Sequence, residues 1–75
     1  MVRSVDIKIW YDNEEDLWVA TVIVTSGSYV TSVEKLFFKS KEEAMSYAFD
    51  LCRKMRSMKL RCNIFAPEIV MPVEA

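Results

Sequence analysis

"SKEEAMSYAFDLC", residues 40–52, is where the chain changes its hydrophobic period, and its reading decides the fold. Ser40 is followed three positions later by Glu43, the spacing of a capping box, in which a hydroxyl takes a free amide and a carboxylate reaches back to the cap. From there Ala44, Tyr47, Ala48, Leu51, Met55 and Met58 recur at helical spacing, with Met45 and Cys52 at the edge of the stripe. Lys54, Arg56 and Lys59 suit the negative end of the helix dipole. The pattern predicts a helix over about 40–59, roughly 30 Å long at 1.5 Å per residue.

Upstream the period is two. In "SVDIKIWY", 4–11, Val5, Ile7, Ile9 and Tyr11 point one way and Ser4, Asp6, Lys8 and Trp10 the other, a strand with one wet face. "DNEED", 12–16, is a polar connecting turn. "LWVATVIVTS", 17–26, is β-branched at nearly every position, as a central strand with neighbours on both sides would be. The only Gly, Gly27, marks the next turn, before a third strand over 29–39. In that strand Thr31 and Val33 share one parity while Leu36 and Phe38 fall on the other, which predicts a β-bulge near Glu34–Lys35.

Downstream, Leu60, Cys62 and Ile64 alternate with Arg61, Asn63 and Phe65, so a short fourth strand over 60–65 is expected. Pro67 and Pro72 bar the rest of the tail from the middle of a sheet. The apolar Ile69, Val70 and Met71 between them are candidates for a homodimer contact, because one helix and one sheet leave little surface to hide them. The fold class is therefore α+β: a single domain over 1–75, an antiparallel three-stranded meander packed by one helix, with a short fourth strand or extended tail.

The order β-β-β-α, with "DLWVATV" in the second strand and "SKEEAMSYAFDLC" opening the helix, resembles the HicB-type antitoxin domain over about residues 5–57. The resemblance implies the architecture. It departs from the family where "TSGSYVTSVEKLFF" follows the second strand without a Pro.

Composition narrows the chemistry. At 75 residues, 52% apolar and 28% charged, the chain reads as a small globular protein. It has no His, which removes Ser-His and Cys-His nucleophile systems and the commonest metal ligand. One Gly cannot make a phosphate-cradling loop, and "DNEED" lacks the glycine and spacing of a calcium loop. No enzyme activity, metal or cofactor is expected. No stretch reaches the roughly 18 apolar residues of a membrane span, and the alternating start is unlike a signal peptide. Two cysteines are few for a small secreted domain, so Cys52 and Cys62 are expected as buried thiols in the cytoplasm rather than as a disulfide.

Charge is segregated. Residues 1–50 carry five basic and nine acidic side chains, whereas 51–66 carry five basic and none acidic, in a chain of net charge −1. Arg53, Lys54, Arg56, Lys59 and Arg61 are thus candidates for a nucleic-acid contact. Glu42, Glu43 and Asp50 share the helix's polar side with Arg53 and Lys54, and each would repel phosphate. Phe49 breaks the wheel instead, an aromatic on the polar side: either the C-terminal segment folds back over it or, flanked by Arg53 and Arg56, it is an interface anchor. Trp10 shares a strand face with Ser4, Asp6 and Lys8, either stacked on Trp18 or facing a partner. Phe49, Arg53, Arg56 and Trp10 point to a protein-binding module, a small regulator or inhibitor, ahead of a nucleic-acid binder.

Overall fold

A computed structural model describes residues 3–66. The elements are β1 (Arg3–Asp12), β2 (Leu17–Ser26), β3 (Tyr29–Phe38), α1 (Lys41–Ser57) and β4 (Arg61–Phe65). They form one four-stranded sheet in the order β3-β2-β1-β4, the first three strands an antiparallel meander and β4 parallel to β1. The expected α+β architecture is the observed one, and the short fourth strand is real. Ile69, Val70 and Met71 lie outside the described residues.

β1 alternates as its sequence requires. Val5, Ile7 and Ile9 are buried and meet Val24, Val22 and Ala20 across the β1–β2 ladder. This side of the sheet is covered by α1, whose Ala44, Ala48 and Cys52 are buried against it. The small side chains let the helix backbone come close to the sheet. The sequence stripe was therefore slightly misdirected: Cys52 sits at its centre, whereas Met58 is exposed at the helix end. Tyr47 packs its ring 5.5 Å from that of Phe38 at the β3 side of the helix.

The helix ends are defined by their caps. Ser40 is extended (φ −134°, ψ 158°), and its Oγ accepts from the Glu43 amide at 3.1 Å. The Glu43 carboxylate reaches past the cap and accepts from the Lys39 amide at 3.3 Å, so the expected reciprocal bond is displaced by one residue. Ser40→Ala is expected to lower the unfolding free energy by about 1 kcal/mol. An unchanged midpoint in a urea titration would mean that the hydroxyl contributes nothing. At the other end, the Lys59 and Leu60 amides donate to the Arg56 and Met55 carbonyls at 2.9 and 3.0 Å. Lys59 takes the left-handed conformation (φ 64°) that this turn usually gives to glycine.

The bulge is elsewhere than expected. Val24 pairs with Ser32 and Thr25 with Val30, which leaves Thr31 as the extra residue; its hydroxyl donates to the Val24 carbonyl at 3.1 Å. From Ser32 to Phe38 the ladder is regular, so Leu36 and Phe38 face the helix while Val33 and Phe37 face the other way. The mixed parity of this strand thus marks apolar residues on both faces rather than a slip near Glu34–Lys35.

Cys52 and Cys62 are bonded, with their Cα atoms 5.3 Å apart, and this overturns the expectation of two free thiols. α1 and β4 run side by side there, so both side chains enter the same buried space. The acidic turn is self-satisfied: Asp12 Oδ1 accepts from the Glu14 and Glu15 amides at 3.0 and 3.3 Å. The Tyr11 hydroxyl donates to Asp16, a bond that, with desolvation and the neighbouring carboxylates, raises the phenol above its ordinary pKa.

Candidate functional site

Phe49 lies on the flank of α1 that overhangs β4. One turn on, Arg53 and Arg56 project from the same flank, because positions three and four apart are neighbours on a helix. Together with Cys52 and Ile64 they line an open depression of about 670 Å³ between the helix and the edge strand. Its floor is apolar, from Ile64 and the bridged Cys52, and its rim is cationic. Phe49 is 54% exposed.

The two arginines differ in freedom. Arg56 donates from Nη2 to the Cys62 carbonyl at 2.9 Å, which stitches the helix to β4 and holds the guanidinium at the rim. Arg53 is largely exposed and is matched by Asp50 at 3.3 Å. An exposed pair of this kind holds its side chains weakly, so Arg53 can exchange Asp50 for another anion at small cost. A second, shallower depression of about 400 Å³ adjoins the first and shares Phe49 and Arg53 with it.

Trp10 does not belong to this site. It lies on the face of the sheet away from the helix, where its indole N–H donates to Thr21 Oγ1 at 3.1 Å and Lys35 Nζ sits 5.8 Å from its ring centroid. Trp18 is on the helix side, tilted against Tyr11 with ring centroids 5.4 Å apart, so of the two alternatives for Trp10 the stack on Trp18 does not form. Of the four expected contact residues, Phe49, Arg53 and Arg56 come together and Trp10 stands apart.

No protein-family model, curated protein or solved structure matches this chain.

The five basic residues of 51–66 are dispersed. Lys54 flanks a separate hollow with Tyr47 and Leu51, Lys59 is in the turn after the helix, and Arg61 shares a face with Ser4 on the sheet. Of the five, Arg53 and Arg56 share a depression. Among the described residues no three Cys, Asp or Glu side chains gather as a metal ion would need.

Sequence reasoning missed a second apolar surface. Val33, Phe37 and Phe65 are each more than half exposed, and all lie on the helix-free face. The signal was present in β2, where apolar residues occur at both parities, and a strand apolar on both faces expects cover on both.

Proposed function

We propose that the chain is a non-enzymatic protein-binding module, a small regulator or inhibitor, that receives an acidic, partly apolar segment of its partner between α1 and β4. The observation that carries this reading is the grouping of Phe49, Arg53 and Arg56 around one depression with an apolar floor. An apolar side chain of the partner would lie on Phe49 and Ile64, and a neighbouring carboxylate would take the Arg53 guanidinium from Asp50. Arginine suits this role because its planar fork can hold a carboxylate by two parallel bonds.

No helix among the described residues is long and apolar enough to cross a membrane. The cytoplasmic location was expected because two cysteines are few for a small secreted domain; the bridged pair favours an oxidising compartment instead.

The test is capture of partners on the immobilised full chain, with and without nuclease, followed by titration of the captured protein. Phe49→Ala and Arg53→Glu are each expected to weaken the titrated affinity by about 30-fold, roughly 2 kcal/mol, as truncation of an anchor does. Both positions are exposed, so the denaturation midpoint should hardly move. Loss of stability on Phe49→Ala would mark it as a covered core residue and end the proposal. Nuclease-sensitive capture, with a steep salt dependence lost on Lys54→Ala or Arg61→Ala, would favour the nucleic-acid reading instead.

A further inference from the structure

The helix-free face of the sheet is a surface in its own right. Near the β1–β2 turn run Trp10, Val19 and Phe37, opposite one another on β1, β2 and β3; beyond the central row of Lys8, Thr21 and Lys35 lies Ile23 beside Val33, with Phe65 next to Lys8 on β4. Val19 is fully buried although it is not part of the helix-side core, and Thr21 beside it on this face is buried too, so part of the face is already dry in the single chain. Among the described residues no element packs over it. The side chains of an ordinary one-sided antiparallel sheet would be polar here.

We infer that this face is where two copies of the chain meet, sheet on sheet. Size is the first argument. Strands about 4.8 Å apart and roughly 3.3 Å per residue give a face on the order of 550 Å² per copy. Two such faces cover about 1,100 Å², just above the roughly 1,000 Å² that a specific interface needs. Charge is the second. Lys8 and Asp6 are neighbours on the same side of β1, and Asp6 is held in place by the Asn63 amide, which donates to its Oδ1 at 3.0 Å. A two-fold axis lying between the sheets and across the strands, between the Lys8 and Asp6 levels, sets Lys8 of each copy against Asp6 of the other. The same operation lays Ile23 over Thr21 and Phe37 over Val30, and sets Lys35 opposite Val33 and Phe65 opposite Asn63. Lys35 is folded over the Trp10 ring, which removes the second cation from the centre.

A two-fold pairing of this kind is isologous and closes on itself, so it makes a dimer and not a filament. It uses none of Phe49, Arg53 and Arg56, which lie on the other side of the sheet, and so it stands independently of the proposed function. Each dimer would carry two such depressions, turned outward.

Sedimentation velocity on the full chain over about 1 µM to 1 mM, a span of roughly 4 kcal/mol in dissociation free energy, reads the association directly. The wild type is expected to pass from monomer to dimer in that range. Val33→Glu and Phe37→Glu, at exposed positions, should remain folded by circular dichroism and stay monomeric throughout. Lys8→Glu should weaken the dimer at least tenfold, and the combined Asp6→Lys, Lys8→Glu exchange should recover it, a response that only the facing Lys8–Asp6 arrangement produces. A wild type that is monomeric at the highest concentration overturns the inference and leaves partner capture through Phe49 untouched. So does a dimer that survives both Val33→Glu and Phe37→Glu, since another surface must then hold it. A monomer whose stability falls on Val33→Glu would mean that the chain covers the face itself. A monomer that binds single-stranded oligonucleotide, with Phe37→Ala abolishing it, would give the face to stacked bases; either result also overturns the inference.

Discussion

Cys52→Ala is expected to lower the unfolding free energy by about 3 kcal/mol, and treatment of the wild type with a thiol reductant should do the same. The bridge joins residues 10 apart in sequence. Closing a loop of that length removes roughly 9 cal/mol/K of entropy from the unfolded chain, or nearly 3 kcal/mol at room temperature. The native contribution adds to this. β4 has only five residues, sits at the sheet edge, and is paired on one side alone. The bridge and the Arg56–Cys62 bond fasten it to α1. Paired urea titrations with and without reductant check the effect, and the Cys52→Ala/Cys62→Ala double variant should be indifferent to reductant. Equal midpoints for the oxidised and reduced wild type would mean that packing alone holds β4.

Ile7→Ala is expected to cost still more, about 3–4 kcal/mol, in the range of buried Ile-to-Ala truncations. Ile7 is 0% exposed in the centre of the sheet, between Val22 and Ile64 across the two ladders. The helix residues fully buried in the same core are Ala44, Ala48 and Cys52, which have no side chain long enough to swing into the space left behind. The cavity would therefore persist, and cavity volume is what sets the larger costs. A domain of this length has a total stability of only about 4–11 kcal/mol. Near the lower end the variant would be substantially unfolded at room temperature, which thermal and urea unfolding followed by circular dichroism will register. A loss below about 1 kcal/mol would mean that the helix settles onto the sheet, and would contradict the close approach inferred from the two alanines.

The elements were legible in the sequence because each carries a local signal. The alternation of Val5, Ile7 and Ile9 sets the buried face of β1, and Ser40 ends the β region as a hydroxyl cap should. The bulge was harder to place. Residues at both parities in β3 suggest a slip, but the same pattern arises when both faces are apolar, and only the ladder separates the two cases. The partner of β4 was equally hidden, since it depends on where the helix returns the chain. The cysteines followed from that: their pairing needs α1 and β4 side by side, a long-range fact that compartment statistics cannot supply. At the candidate site, the helix wheel was enough to group Phe49, Arg53 and Arg56, because they share one element. It could not exclude Trp10, whose separation from them depends on which face of the sheet the helix covers.

The pairing of β1 with β4 also governs the order in which this fold can be completed. Ser4 finds its neighbour Arg61 only after 56 intervening residues have been made. At about 5–20 residues per second of translation, the meander is complete roughly one to five seconds before β4 begins. During that interval the outer backbone of β1 is a bare sheet edge, open to pairing with any other nascent strand. The hairpins form from local contacts on the scale of microseconds, whereas the last ladder must wait for synthesis. Slow codons or a chaperone binding site would matter most between the end of α1 and Phe65. Fragments stopped before Arg61 should be the aggregating species in a stalled-chain experiment.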